Sequence, residues 1–365
     1  MPAQRILLLS VGYGQGHHSA AYAMAEEFES RGWEVRVEDP CAEGRPKLFR
    51  LTQNFYRLCV RRMPWLWGVA YACTDTADWS LWHHSASLRA CAACIRRMLR
   101  EWNPQLVVCT YPLYAYMLDT FRASGEISVP YAVLVTDAQE ISRPWLRSRA
   151  PMVIVPDEES QRIVCERYAL DTSRVVVGGF PVRRAFCPNA ERCIPSAEDV
   201  RVVYGAYRAT EGVCDDVRAL FRALPGVSMV LLGGARAPVL REYLADVLAT
   251  GRLQIIDATE RMYELFSWGH FYIGKAGAAT MFEAYSSELP VLVNYTLPGQ
   301  EQGNLQLLLQ DGAGVHVECT GHLVQTVVHS LKENAAGWLR LCHAMRSANR
   351  SGAAARIVDL LQDLV

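Results

Sequence analysis

Two clusters along this chain have residue types and spacing suited to handling a phosphorylated sugar. In Gly274-Lys275-Ala276-Gly277-Ala278-Ala279-Thr280-Met281-Phe282-Glu283-Ala284, a strand end passes through small residues into a helix. The first N–H groups of a helix lack internal partners and carry a partial positive charge. Small residues at Gly277, Ala278, Ala279 and Thr280 therefore let a phosphate approach the backbone. Glu283 follows one turn later, where a carboxylate can accept hydrogen bonds from a ribose diol. Further along, Leu297-Pro298-Gly299-Gln300-Glu301-Gln302-Gly303-Asn304 is a Pro/Gly turn that offers Gln300 and Glu301 to sugar hydroxyls. Phosphate, ribose and sugar contacts in sequence order point to a nucleotide sugar, although each motif alone is common in α/β proteins.

The second cluster lies at the other end of the chain, in Gly12-Tyr13-Gly14-Gln15-Gly16-His17-His18-Ser19-Ala20-Ala21. It is not the G-x-G-x-x-G dinucleotide fingerprint, because His17 stands at the third glycine position. An acidic residue does follow ~20 residues on, at Glu38 or Asp39, which keeps a cofactor-binding reading open. The catalytic reading is sharper. A histidine on a Gly-rich turn at a strand's carboxyl end can face a ligand, and its pKa suits proton abstraction near neutrality. The plain alternative is a histidine that caps the following helix.

The surrounding sequence supplies elements to position both clusters. Arg5–Val11 and Trp33–Asp39 read as strands flanking a helix over Ser19–Arg31, followed by strands at Leu106–Thr110, Tyr131–Thr136, Met152–Val155 and Arg174–Val177. The pattern repeats with strands at Arg201–Gly205, Ser228–Leu232, Leu253–Ile256, His270–Ile273 and Pro290–Asn294. Buried strands alternating with helices predict parallel sheets covered on both faces, with ligands at the carboxyl ends of the strands. Gly178–Phe186, with the polar stretch to Asp199 behind it, reads as an interdomain linker. The expected division is residues 1–186, residues 187–345 and a terminal helix over 346–365.

Composition narrows the function. The chain has 365 residues, 51% of them hydrophobic and 21% charged, with a net charge of −1, so it is globular and not a general nucleic-acid binder. No apolar run reaches the ~20 residues needed to span a bilayer. The twelve cysteines are scattered. Cys91 and Cys94 form one C-x-x-C with no second pair to complete a zinc site, and a reduced, cytoplasmic setting is the simplest account. Residues 45–102 differ from the rest. Arg45, Lys47, Arg50, Arg57, Arg61 and Arg62 occur without an acidic residue between Glu43 and Asp75, and Trp65, Trp67, Trp79, Trp82 and Trp102 add aromatic bulk. Cations with interfacial aromatics suit an anionic membrane surface; the alternative is an ordinary helical excursion with buried tryptophans.

Taken together, the motifs resemble the monogalactosyldiacylglycerol synthase and processive diacylglycerol glucosyltransferase family, related to the enzyme that adds N-acetylglucosamine to lipid I. The residues that carry the resemblance are Gly14-Gln15-Gly16-His17, Leu51-Thr52-Gln53-Asn54-Phe55-Tyr56, Val135-Thr136-Asp137 with Trp145, Gly179-Phe180-Pro181-Val182, Lys275-Ala276-Gly277, Glu283-Ala284 and Pro298-Gly299-Gln300-Glu301 with Gly303-Asn304. The resemblance implies a GT-B fold: two Rossmann-like, doubly wound parallel-sheet domains facing across a cleft. The N-terminal domain takes the lipid acceptor and the membrane, and the C-terminal one takes a UDP-hexose. It further implies inversion at the anomeric carbon, with no metal required. His17 is then the candidate base, and Asp137 supports the acceptor side. Gly277 to Thr280 hold the diphosphate, Glu283 the ribose, and Gln300 and Glu301 the sugar. In this chain Ser142 stands where the family usually has a histidine. The loop Tyr204–Gly212, with Gly205 and Arg208, replaces a Gly-rich one, so that Tyr207 and Arg208 crowd the pyrophosphate or Arg208 pairs with it.

The leading expectation is a peripheral membrane hexosyltransferase acting on an acceptor such as diacylglycerol. Two other classes remain: a UDP-sugar epimerase, which shares the fold, and a non-catalytic nucleotide-sugar or lipid-binding protein.

Overall fold

The structure, a computed structural model, describes residues 4–13, 15–62, 85–187, 191–297 and 301–365. Two six-stranded sheets organise these residues, and every neighbouring pair of strands runs parallel. The first contains β1 (Arg5–Leu9), β2 (Glu34–Glu38), β3 (Leu106–Cys109), β4 (Tyr131–Leu134), β5 (Met152–Val155) and β6 (Val175–Val177), in the order β2-β1-β3-β4-β5-β6. The second contains β7 (Val200–Gly205), β8 (Val227–Leu232), β9 (Leu253–Ile256), β10 (Phe271–Lys275), β11 (Val291–Tyr295) and β12 (Gly314–His316), in the order β12-β11-β10-β7-β8-β9. Counted from its own first strand, the second sheet has the order of dinucleotide-binding sheets. The expected pair of Rossmann-like sheets is thus present.

The strands are continuous apolar runs because helices cover both faces of a parallel sheet. Ile6–Leu9 and Leu106–Cys109, paired from Ile6↔Leu106 onward, are fully buried. Helix Gln15–Ser30 follows β1, and its buried alanines at 20, 21, 23 and 25 let it lie close to the sheet. Helix Ala86–Trp102 starts where Ser85 Oγ accepts from Leu88 N and stops at Asn103 in the left-handed region.

Each sheet has one place where strand order reverses: between β1 and β3 in the first, and between β7 and β10 in the second. The crevice outside the carboxyl ends at such a point is where open α/β sheets bind ligands. Both sequence clusters fall there. The loop after β1 leads into the first turn of helix Gln15–Ser30, which carries His17, and the loops after β7 and β10 carry Arg208 and Gly277.

The chain divides into two compact units. One is Met1–Arg183 with Leu297–Gly303 and Gly352–Val365; the other is Arg184–Thr296 with Asn304–Ser351. Residues 297–303 cluster with the first unit, unlike the contiguous blocks drawn from sequence, and the terminal helix clusters with that unit too, as the family resemblance implies. Gly178–Gly179 is also no loose linker. A Cβ on Gly178 would stand 2.6 Å from Ile154 and 2.8 Å from Ile357, and one on Gly179 (φ +92°) would stand 2.7 Å from the Ala353 Cβ. These glycines are where the terminal helix Ala353–Gln362 presses onto the first sheet.

The basic-aromatic stretch splits on inspection. Residues 63–84, with Trp65, Trp67, Trp79 and Trp82, lie outside the described residues. Helix Ala86–Trp102 buries Cys91, Ala92, Ile95, Met98 and Leu99 in the core. Trp102 donates Nε1 to the Ile6 carbonyl at 3.2 Å and lies between the Arg5 and Arg36 guanidiniums. It is therefore a packing residue of the first sheet and not an interfacial aromatic.

Candidate functional site

In the first unit, the loop after β1 is braced from outside. Asp39 Oδ2 accepts from Gly12 N at 2.9 Å, while its Oδ1 caps helix Pro40–Gly44 at Ala42 N and accepts from the Tyr114 hydroxyl at 3.2 Å. Both oxygens are thus committed to structure, which removes the ribose role left open for Asp39. Gln53 Nε2 donates to the Gly12 carbonyl, and the Tyr13 and Thr52 hydroxyls lie 3.0 Å apart. The Leu51–Tyr56 motif therefore serves as a clamp on the loop from helix Pro46–Arg62.

His17 lies in the first turn of helix Gln15–Ser30, and its ring turns inward rather than capping. Nδ1 is 3.0 Å from Thr136 Oγ1, the Thr110 carbonyl accepts from the ring, and Tyr111 and Trp145 pack against it at 5.6 and 5.9 Å. Burial lowers its pKa to about 4, only partly opposed by the Thr110 carbonyl, so the imidazole is neutral at physiological pH. The neutral imidazole is thus held by two partners, the Thr136 hydroxyl and the Thr110 carbonyl. The adjacent His18 points elsewhere, with Nδ1 2.8 Å from Ser10 Oγ and Nε2 4.0 Å from Asp39 Oδ2.

Asp137 accepts from Trp145 Nε1 at 2.8 Å, so Trp145 touches both predicted acceptor-side residues. Burial raises the Asp137 pKa to about 6; Trp145 opposes this, and the nearby Glu301 carboxylate adds to it. Glu301 is 4% exposed and accepts from Leu297 N at 2.9 Å through Oε2. Gly303 lies against loop 138–140, where a Cβ on it would stand 2.2 Å from the Ala138 carbonyl oxygen. Gln300, the other expected sugar contact, lies outside the described residues. Ser142 is buried just before the short 3-10 turn Arg143–Leu146.

In the second unit, helix Ala278–Ser286 begins at Gly277, which offers no side-chain cap, so Ala278, Ala279 and Thr280 present the first-turn amides. Glu283 is 8% exposed on that helix. The loop after β7 is braced from within. Arg208 Nη1 donates to both oxygens of the fully buried Asp216 at 2.8 Å, and Arg236 donates to the carbonyls of Ala206 and Arg208. Asp216 also accepts from the Tyr204 and Thr320 hydroxyls at 2.6 Å and from Asn294 Nδ2 at 3.3 Å. Tyr207 folds back over Gly205, stacks on Tyr295 and carries the Lys275 ammonium on its ring face. Arg208, Arg236 and Lys275 thus gather at the ends of β7, β8 and β10.

Sequence reading named His17, Asp137 and the small-residue turn Gly277–Thr280 as candidates. It did not single out Tyr111 or the Asp39 and Asp216 hubs, whose partners are far apart in the chain. Thr136 and Trp145 were visible only as motif residues.

Residues 17–182 match the monogalactosyldiacylglycerol (MGDG) synthase family. The matched segment falls within the first unit and contains His17, Asp137 and Trp145. The resemblance carried by the motifs is borne out over the whole chain as well. Processive diacylglycerol β-glucosyltransferases of Bacillus cytotoxicus and Bacillus cereus are each 23% identical, over 98% of this chain and 93% of theirs. Solved structures give the fold. MurG of Acinetobacter baumannii matches with TM-score 0.60 and 15% identity, over 99% of this chain and 100% of that one. UGT71G1 of Medicago truncatula, complexed with UDP-glucose, matches with TM-score 0.64 and 12% identity, over 99% and 98%. The UDP-GlcNAc 2-epimerase of Neisseria meningitidis, bound to UDP-GlcNAc, matches with TM-score 0.61 and 13% identity, over 99% and 100%. The fold is GT-B, and it is shared by transferases and epimerases alike.

Proposed function

We propose that this MGDG synthase relative transfers a hexose from a UDP-sugar to the hydroxyl of a membrane lipid such as diacylglycerol, with inversion. The observation that carries the reading is His17: a neutral imidazole, held by Thr136 and the Thr110 carbonyl among aromatic rings, just after the switch-point loop of the unit that matches the MGDG synthase family. In this reading the neutral His17 imidazole takes the acceptor hydroxyl proton as that oxygen attacks the anomeric carbon. The bond to the diphosphate breaks on the opposite face. Asp137 supports the acceptor side.

On the donor side, the Gly277–Thr280 amides and the cations Arg208 and Lys275 offset the charge of the leaving UDP, so the reaction needs no metal. Glu283, Gln300 and Glu301 are the ribose and sugar contacts of this reading. EDTA should leave turnover unchanged.

Helix Pro46–Arg62 supports a lipid acceptor over free UDP-sugar as the sole substrate. Its Leu48, Leu51, Phe55 and Leu58 are exposed, with Leu51 at 65% and Phe55 at 60%, and Lys47 and Arg50 occur on the same helix. Spacings of three and four residues put the four apolar side chains on one stripe, as an interfacial helix requires. No helix among the described residues is long and apolar enough to cross a membrane. Peripheral binding from the cytoplasmic side is the setting this implies. Leu51→Ser with Phe55→Ser should release the protein from anionic vesicles in a flotation assay.

The deciding experiment is turnover of the purified chain with a panel of UDP-sugars in diacylglycerol liposomes, scoring glycolipid and released UDP. Glycolipid from one donor supports the reading and names the sugar. UDP release without glycolipid rejects this acceptor. UDP binding without turnover moves the reading to a non-catalytic nucleotide-sugar protein, and conversion of the free UDP-sugar moves it to an epimerase.

A further inference from the structure

Neither end of the proposed reaction uses the C-x-x-C thiols Cys91 and Cys94, and the fold brings a third thiol to them. Cys41 Sγ lies 3.3 Å from Cys91 Sγ. Cys41 belongs to helix Pro40–Gly44, and Gly44 lets that helix press against helix Ala86–Trp102. A Cβ on Gly44 would stand 3.0 Å from the backbone of Ala90 and 3.1 Å from that of Cys91. A disulfide needs sulfurs about 2.05 Å apart, so closure asks for little more than ~1 Å between helices already in backbone contact. Cys91 is 1% exposed, whereas Cys41 is half-buried, so a small oxidant reaches Cys41 first. The contact with Cys91 lowers the Cys41 pKa against the effect of burial, and the same contact raises that of Cys91.

We propose that Cys41 and Cys91 form a dithiol that closes to a disulfide with hydrogen peroxide and thereby slows the reaction at the Gly12–His17 loop. Cys41 gives its proton to solvent and the thiolate attacks one peroxide oxygen; the O–O bond breaks, and the departing hydroxide takes a proton back from solvent and leaves as water, giving a sulfenic acid. The Cys91 sulfur then attacks the Cys41 sulfur, and the sulfenic hydroxyl leaves with the Cys91 proton as a second water. Two thiols and one peroxide become one disulfide and two waters. A dithiol reductant reverses the step by thiol exchange.

The link to the loop is Asp39. Its Oδ1 caps the helix that carries Cys41, and its Oδ2 holds Gly12 N. Drawing Cys41 toward Cys91 moves that cap, and with it the anchor of the loop that presents His17. This second half rests on the reading of His17 as the base; the disulfide itself does not.

The test is peptide mapping of the full chain after hydrogen peroxide and thiol alkylation, in parallel with glycolipid turnover before oxidation, after it, and after dithiothreitol. The expected result is a Cys41–Cys91 linked peptide lighter by two hydrogens, present also in Cys94→Ser and absent in Cys41→Ser. Turnover should fall about tenfold on oxidation, recover on reduction and resist peroxide in Cys41→Ser. Cys41→Ser is the variant of choice because the buried Cys91 is part of the core. A Cys91–Cys94 link, or no link, overturns the site. A Cys41–Cys91 link with unchanged turnover overturns the coupling. If the untreated chain shows no turnover, the proposed function fails, and the mapping still decides whether the dithiol exists.

Discussion

The two switch-point loops use one buried or half-buried carboxylate each, and use it in opposite ways. In the first unit, Asp39 grips backbone: it takes Gly12 N and the first turn of a short helix, leaving the histidine beside it to be set by Thr136 and Thr110. In the second unit, Asp216 grips a side chain, holding the Arg208 guanidinium through both oxygens and drawing in Tyr204, Asn294 and Thr320. The first arrangement fixes where a titratable ring stands and leaves its protonation to burial. The second fixes a cation and shares its charge before any ligand arrives. A proton-transfer residue needs position and the right pKa, whereas an anion-binding residue needs restraint against collapse onto its own loop.

The largest effect should come from the ring that the first loop sets in place. His17→Ala is expected to lower turnover by about 10²–10⁴-fold with the fold intact by circular dichroism. Turnover within a factor of three of the parent removes the base from the first loop altogether. Asp216→Ala should act on the other side of the contrast. It strands a guanidinium and a buried Tyr204 hydroxyl, costing about 2–4 kcal/mol of stability by denaturant unfolding, since Arg208 is partly exposed. An unchanged midpoint would mean that Asp216 does no structural duty. Asp39→Ala is expected to keep most of the stability yet lower turnover about tenfold to a hundredfold by loosening Gly12. A loss of stability as great as that of Asp216→Ala would erase the distinction between the two carboxylates.

Much of this was legible in the sequence. Sheet strands such as Leu106–Cys109 and Val200–Gly205 contain short apolar runs, because burial on both faces leaves little room for polar positions. β12 did not, since three residues with a histidine at the end carry no run. His17 stood out as a candidate from its place after a Gly-rich turn, and Gly277–Thr280 from its small residues. The hubs were not. Asp39 binds residues 12, 42 and 114, and Asp216 binds residues 204, 208, 294 and 320, distances along the chain that no local pattern encodes. Trp102 was left between two readings, because composition counts an aromatic ring without saying which surface it covers.

A smaller effect sharpens the acceptor side. The folded pKa of Asp137, about 6, lies above the unfolded value of ~3.9. The folded state therefore binds the extra proton between those values, and wild-type stability from this group is lost as pH rises through about 6. Asp137→Asn keeps an oxygen for Trp145 and does not titrate. It should be more stable than the parent by about 1–2 kcal/mol at pH 8, with the gain vanishing near pH 4, read as melting temperature against pH. Turnover should fall in the same variant. A gain that grows toward acid would reverse the sign assigned to Asp137.

The helix Ala353–Gln362, seated on Gly178 and Gly179, has a consequence for how the protein is made. The first unit takes in a helix that is translated only after the second unit has been. Until then Gly178 and Gly179 lack their contacts with Ile357 and Ala353, so the first unit cannot be completed before the second has been synthesised.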